Sequence, residues 1–385
     1  MHPDRRPPER ARRAAPSALK GLIRFAFLAV VALLVVSGVA GGLARAGIVL
    51  GRPDASWLAA ATLSHAALMI CGFLGTVIGI ERAVAVHRPD AFVAPVACAA
   101  GAILLLAGAP WAGAWLLLAG SVAFAAVNVL VVHRQRASHT VLLLVGALAW
   151  CIGNVLYVAN RGPAAVLPWW FAFLILTIAA ERLEMTRLMP RRPNAAPALY
   201  AILGLLLGAA ALSSAPGSFG GVLYGVALTM LAVWLVVFDI ARRTVRTQGL
   251  SRYMAVCLLS GYVWLGLGGL AWVGTALGCP ERDAALHAIG LGFIVSMMMA
   301  HVPVILPAVA GIRLRYGAFF YLPLVLLHLS LLARLAAGTI HPGLRPVGIA
   351  ANAVALALFG ATVAAAALAH RRSARPTSPV SPSET

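Results

Sequence analysis

Charge is what this chain has least of. Asp, Glu, Lys and Arg make up 11% of its 385 residues, while 62% are hydrophobic and the mean hydropathy is +0.92. A water-soluble domain of this length needs a charged surface, and these residues are too few to build one. Lysine is nearly missing, since 29 of the 30 basic residues are Arg. Cysteine is sparse as well. Cys71, Cys98, Cys151, Cys257 and Cys279 form no CxxC, which excludes a thioredoxin pair, a zinc ribbon and a covalent c-type haem site. Only Cys279 falls in an expected outer loop, so no outer-face disulfide is expected within one chain. Acidic residues are lacking at the middle of every apolar run. Glu81, Glu181, Glu184 and Asp239 lie at helix ends, and Asp54, Glu281 and Asp283 lie in links. That argues against a carboxylate relay at mid-membrane depth.

The net charge of +19 first invites a nucleic-acid reading. The arginines, however, sit in short blocks between apolar stretches, which is the pattern of membrane topology, so no nucleic-acid partner is expected. A spanning helix needs about 20 mostly apolar residues. Twelve such runs are present, at 22–43, 57–80, 91–109, 112–132, 139–158, 166–183, 196–214, 220–240, 253–277, 284–309, 317–336 and 347–369. Turn signals such as Arg52-Pro53-Asp54 and Arg161-Gly162-Pro163 separate them. The first run, from Phe25 to Ala40, is longer than a usual signal-peptide core of about 7–15 residues, and it reads as a transmembrane helix.

The fold class expected is therefore all-α, a polytopic bundle of twelve helices in the lipid bilayer. Residues 20–370 form the membrane domain, and the tails 1–19 and 371–385, rich in Pro, Arg, Ala and Ser, are expected to be disordered. With the N-terminus inside, 24 basic residues fall in inner segments. Six remain outside: Arg45, Arg52, Arg161, Arg282, Arg334 and Arg345. This asymmetry predicts cytoplasmic termini and a bacterial inner (cell) membrane location. A weak repeat is also visible. The second helix ends in Gly79-Ile80-Glu81-Arg82, the sixth in Ala179-Ala180-Glu181-Arg182 and the tenth in Gly311-Ile312-Arg313. Three arcs of four helices would place equivalent helices there.

Polar groups inside lipid are costly and point to function. Four histidines lie within the runs: His65, His287, His301 and His328. Neutral imidazole suits haem iron or copper in an apolar core. His65 and His287 come early in inward-running helices, so both fall in the outer half at similar depth. Each is followed by Gly and Phe, in Cys71-Gly72-Phe73 and Leu291-Gly292-Phe293. His301 follows His287 by 14 residues, about 21 Å along one helix face. Met297 is one turn before it, and a thioether with imidazole suits Cu(I). His328 would join His301 only if their helices adjoin. Pro303 and Pro307 place a bend in the inner half of the tenth helix. Against these readings stand plain ones. A lone histidine often bonds a neighbouring carbonyl, and Met297-Met298-Met299 fills irregular packing. His87, His133, His139, His341 and His370 read as interfacial. Gly75 and Gly79 read as a helix contact, and Trp57, Trp169 and Trp170 as an aromatic belt.

The helix count, the early His65, and the stretch from Leu286-His287-Ala288 through Met297-Met298-Met299 to the Arg-rich turn carry a resemblance. The chain resembles the NnrS family of haem- and copper-associated membrane proteins, themselves distantly similar to subunit I of haem-copper oxidases. In those relatives the second and tenth helices supply low-spin haem ligands, which implies that role for His65 and for His287 or His301. The sixth and seventh helices, which carry copper ligands there, hold no histidine here. The tenth helix lacks a His-x-His pair, and the expected Gly-His-Thr-Gly turn is replaced by Gly311-Ile312-Arg313-Leu314-Arg315. The resemblance thus implies no oxygen-reducing centre, and nitric-oxide tolerance only by analogy.

Three functions are open at this point. The first is a b-type haem protein with His65 and His287 as cofactor ligands, serving electron transfer or nitric-oxide or metal handling. His301, His328 and Met297 are its candidate copper ligands, and its redox partner is not named by the sequence. The second is a permease for a small neutral or anionic solute, with Asn128, Asn154 and Asn352 as polar lining. The third is an assembly subunit that docks through the Glu181/Glu184 cluster.

Overall fold

The structure is a computed structural model that describes residues 9–48, 55–185, 193–213, 219–337 and 340–373. Among these residues every regular element is helical, and twelve helices are long and apolar enough to cross a membrane. This is a multi-pass membrane protein. The helices are α1 (Glu9–Arg45), α2 (His65–Val86), α3 (Pro89–Leu106), α4 (Pro110–Arg134), α5 (Ser138–Val158) and α6 (Pro163–Met185). They continue with α7 (Ala195–Leu212), α8 (Phe219–Phe238), α9 (Gly249–Ala276), α10 (Arg282–Ala310), α11 (Ala318–Ala336) and α12 (Leu344–Ser373). Helix α1 begins at Glu9, inside the tail expected to be disordered. Its Ala- and Arg-rich start is a good helix former, so the helix extends beyond the apolar run. Residues 1–8 and 374–385, the rest of the expected tails, lie outside the described residues, as do Arg52, Asp54, Arg187, Arg191 and Arg192.

Helix α2 does not start where hydropathy starts. A separate short helix, Ser56–Leu63, precedes it, and Ser64 breaks the two apart with φ −98° and ψ 11°. His65 is therefore the first residue of the spanning helix. Sequence neighbours pack side by side along the whole chain, α1 touches α12, and the far end of α2 touches that of α10. The chain thus closes on itself and brings α2 beside α10 across a separation of more than 200 residues. Helix α6 is the most buried of the twelve. Trp150 of α5 stacks on Phe173 of α6 with centroids 4.4 Å apart, in one continuous apolar core.

Besides the 3-10 turns that open α3 and α11, three stretches depart from α geometry: Leu68–Leu74 in α2, Ala288–Val295 in α10 and Leu332–Ala337 in α11. All three are π-helical, a form that recurs at functional sites. The irregular part of α10 is thus its first half, where the sequence put the bend at the prolines. Pro303 and Pro307 sit inside a continuous α-helical turn run, Ser296–Ala310.

Close approach explains several glycines. A Cβ on Gly75 would meet Trp150 at 2.6 Å, and one on Gly79 would meet Pro95 at 3.1 Å. The GxxxG is therefore a helix contact, shared between α5 and α3. Of the expected aromatic belt, Trp57 is exposed, but Trp170 is buried and donates to Asn154 Oδ1 at 2.9 Å.

Candidate functional site

Two groups of polar side chains occupy opposite ends of the bundle. The first is at the arginine-poor end, where α2, α10, α11 and α12 meet beside α1. His65 Nδ1 is 2.7 Å from the carbonyl oxygen of Gly38 in α1. A carbonyl only accepts, so Nδ1 carries the proton and the lone pair lies on Nε2. Helix α1 comes this close because Gly42 has no side chain. A Cβ there would stand 2.7 Å from His65 Cε1.

His287 is held in the same way. Its Nδ1 is 3.0 Å from the Asp283 carbonyl and 3.0 Å from Asp283 Oδ1, one turn back on α10. Both are acceptors, so Nδ1 again donates and Nε2 keeps its lone pair. Arg334 of α11 places Nη2 3.2 Å from Nδ1 and 3.1 Å from Nε2 of this ring. A nitrogen equally near both ring nitrogens cannot lie in the ring plane without colliding with Cε1. It therefore sits over the ring face, as a cation over a π system.

Arg334 also donates to both Asp283 oxygens, from Nε at 3.0 Å and from Nη2 at 2.7 Å. Its Nη1 reaches Asn352 Oδ1 at 3.4 Å, and Asn352 donates to Ser330 Oγ at 2.6 Å. Arg345 adds a looser contact of 3.4 Å to Asp283. A buried guanidinium is costly unless it is paired and hydrogen-bonded, and here each of its three nitrogens has an acceptor. Gly348 makes this possible, since a Cβ there would overlap the Arg334 backbone. His65 lies within electrostatic reach of His287, Arg334 and Arg45. The first group thus joins two imidazoles that share one pattern, Nδ1 anchored and Nε2 uncommitted, and a π-helical stretch begins three residues after His65 and directly after His287.

The other two histidines are arranged differently. His301 Nδ1 donates to the Met297 carbonyl at 2.6 Å, and its Nε2 faces Arg182 Nη2 at 3.0 Å. Arginine only donates, so the Nε2 lone pair is already taken. Trp264 Nε1 donates to His328 Nδ1 at 2.9 Å, which uses that lone pair as well. His301 and His328 are held by α6 and α9 respectively, not by one another. Met297 is buried, and a Cβ on Gly261 would meet its methyl carbon at 2.5 Å, so it serves as packing. The two rings thus find their side-chain partners on different helices. Among the described residues no three His, Cys, Asp or Glu side chains are placed to hold a metal.

The three asparagines are also separately engaged. Asn128 bonds within α4 to Phe124 O. Asn154 joins Trp170 and Leu117 O, and Asn352 joins Arg334.

The second group lies at the arginine-rich end, where α2, α6 and α10 converge. A cavity of about 250 Å³ is lined by Glu81, Arg82, Gln135, His139, Glu181 and Glu184, among others. The repeat had matched Arg313 to the two Glu-Arg pairs. The residue of α10 that meets them is His301, within electrostatic reach of Glu81 and bonded to Arg182. His139, read from sequence as interfacial, is 6% exposed, with Nε2 3.7 Å from Glu184. Burial pushes the Asp239 carboxyl, just beyond α8, above the ordinary carboxylate range, against the pull of Arg182 and of the Ala241 N–H. His87, His133 and His341 are exposed as expected.

Sequence reasoning missed Arg334, Asp283, Asn352, Trp264 and His139 as partners. One signal was available: Asp283 stands four residues before His287, the spacing that places two side chains on one helix face. Arg334 was visible only as one of the few basic residues on the arginine-poor side.

No curated protein and no solved structure matches the chain. The family described as Domain of unknown function (DUF8744) matches residues 24–368, nearly all of the membrane domain, and the chain belongs to that family.

Proposed function

We propose that this protein binds a b-type haem through His65 and His287, at the arginine-poor end of the bundle, and serves electron transfer or the handling of nitric oxide or a metal. The observation that carries the reading is the shared state of the two imidazoles. Each donates from Nδ1 to a fixed acceptor, which leaves the Nε2 lone pair for iron and orients the ring. Ligating histidines are held in this way by carbonyl or carboxylate partners. The donor set also fits a b-type haem because no cysteine pair is needed, and Arg45, Arg334 and Arg345 supply positive charge at the same end for propionate groups. When bound, the haem would supply one-electron chemistry. The chain itself would anchor the ligand rings and exclude water from them.

The arginine count orients the protein in this reading. With 24 basic residues on one side and six on the other, the arginine-rich face is cytoplasmic, both termini are inside, and the two histidines lie near the outer face of a bacterial inner membrane. The similarity to NnrS-type proteins belongs to the same proposal.

The test is an absorption spectrum of the protein purified in detergent after expression with a haem precursor. A Soret band in the wild type, lost in His65→Ala and in His287→Ala but kept in His301→Ala, supports the reading. No Soret band in folded wild-type protein ends it.

A further inference from the structure

The cavity at the arginine-rich face has no part in the haem reading. Charge accounting makes it unusual. Glu81 and Arg82 come from α2, His139 from α5, and Glu181, Arg182 and Glu184 from α6. Behind them stand His301 of α10, Tyr262 of α9 and Asp239 beyond α8, all within electrostatic reach of Arg182. Four carboxylates face two guanidiniums. Two negative charges are left in a partly enclosed place, and nearby carboxylates that cannot all ionise cheaply hold protons instead.

The hydrogen bonding is incomplete in the same place. His139 Nδ1, Arg82 Nε and Arg182 Nε are buried without a partner, while the Tyr262 hydroxyl lies within hydrogen-bonding reach of Asp239 and Arg182. His139, Arg182 and Asp239 are 6%, 6% and 1% exposed. Buried polar atoms of this kind are met by internal water, which takes about 30 Å³ per molecule, so the cavity has room for several. The unpartnered atoms continue inward. Thr76 Oγ1 on α2 and Ser296 Oγ on α10 are also buried and unbonded. Each is five residues from the acidic end, before Glu81 and His301 respectively, about 7.5 Å along its helix. Glu184 and Gln135 stand at the mouth, half-exposed and exposed.

We propose that this cavity is a proton-loading site. Water entering from the arginine-rich side delivers protons past Glu184 and His139 to the Glu81–Glu181 pair, and from there toward the His301, Asp239 and Tyr262 group. At entry an O–H bond of a hydronium ion breaks as an O–H forms on a carboxylate or an N–H on His139, and in each onward step the bond to the donor breaks as the bond to the next oxygen or nitrogen forms. No electron moves, and no further reactant is needed. The site is independent of haem.

The experiment is infrared spectroscopy of the detergent-purified protein without added haem, as a function of pH. The expected result is a carboxylic-acid C=O band near neutral pH that shifts when water is replaced by heavy water. It fades as the pH is raised, and Glu81→Gln or Glu181→Gln each weaken it at least twofold, because removing either carboxylate relieves the repulsion that keeps the other protonated. A folded wild-type protein with no such band at neutral pH overturns the proposal whatever the variants do. So does a band that is blind to heavy water, or one unchanged in both variants. Because haem is read at the Soret band and the acid at its C=O stretch, loss of either reading leaves the other standing.

Discussion

Arg334 of α11 lies over the imidazole of His287 in α10 while clasping Asp283 with two hydrogen bonds, at 3.0 and 2.7 Å. One guanidinium therefore fixes both the ring and the carboxylate that orients it. Removing one partner of a buried ion pair costs about 3–5 kcal/mol, because the other charge is left uncompensated. Asp283 keeps 25% of its side-chain exposure, so solvent softens the loss. Arg334→Met is expected to cost about 2–4 kcal/mol, seen as a lowered midpoint of thermal unfolding in detergent. The double variant Arg334→Met with Asp283→Asn is expected to recover part of that loss.

Asp283 also accepts from His287 Nδ1, and a carboxylate acceptor makes an imidazole a stronger donor to iron. Asp283→Asn keeps the shape and removes the charge. If His287 ligates haem, the variant keeps its Soret band and its reduction potential rises, by about 59 mV for each tenfold shift in the ratio of reduced to oxidised protein. A redox titration that leaves the potential unchanged would separate His287 from the iron.

Two glycines provide a contrast. Gly42→Ala drives a methyl group into the His65 ring, where 2.7 Å is available, and is expected to cost about 1–3 kcal/mol by overpacking. Gly204→Ala in α7 meets nothing within 4 Å and is expected to gain about 0.5–1 kcal/mol from the stiffer helix. Thermal melts of the two variants should move in opposite directions.

Trp264 and His328 form a polar contact inside apolar helices, with rings stacked at 18°. Trp264→Phe removes the N–H and leaves His328 Nδ1 unmet, at an expected cost of about 1–3 kcal/mol. Replacing His328 by Leu in that background should restore stability, and a double-mutant cycle in thermal unfolding reads the coupling.

Asp239 gives a pH dependence of known sign. Burial raises its carboxyl pKa above the unfolded value of 3.8, so the folded chain holds the proton longer than the unfolded one. Stability then falls as the pH rises from about 3.8 to the native value, and levels off beyond it. Asp239→Asn keeps the amide-facing oxygen that accepts from Ala241 at 2.7 Å and is expected to flatten that slope. Unfolding midpoints across acid to neutral pH check it.

The amino-acid sequence by itself determined the membrane character, the twelve spans to within a few residues at most ends, and the arginine asymmetry. Each of these is a sum along neighbouring residues, and the cost of placing a side chain in lipid depends chiefly on that side chain. It also picked out His65 and His287, because imidazoles in apolar runs stand out one at a time. Which nitrogen of each ring stays uncommitted was not legible there. That depends on Gly38 in α1, on Arg334 some 47 positions beyond His287, and on Arg182 lying 119 positions before His301. Such pairings exist only once the ring of helices closes and α2 meets α10. Local hydropathy is blind to the partner a polar atom finds across a helix contact, and the tertiary structure alone supplies it.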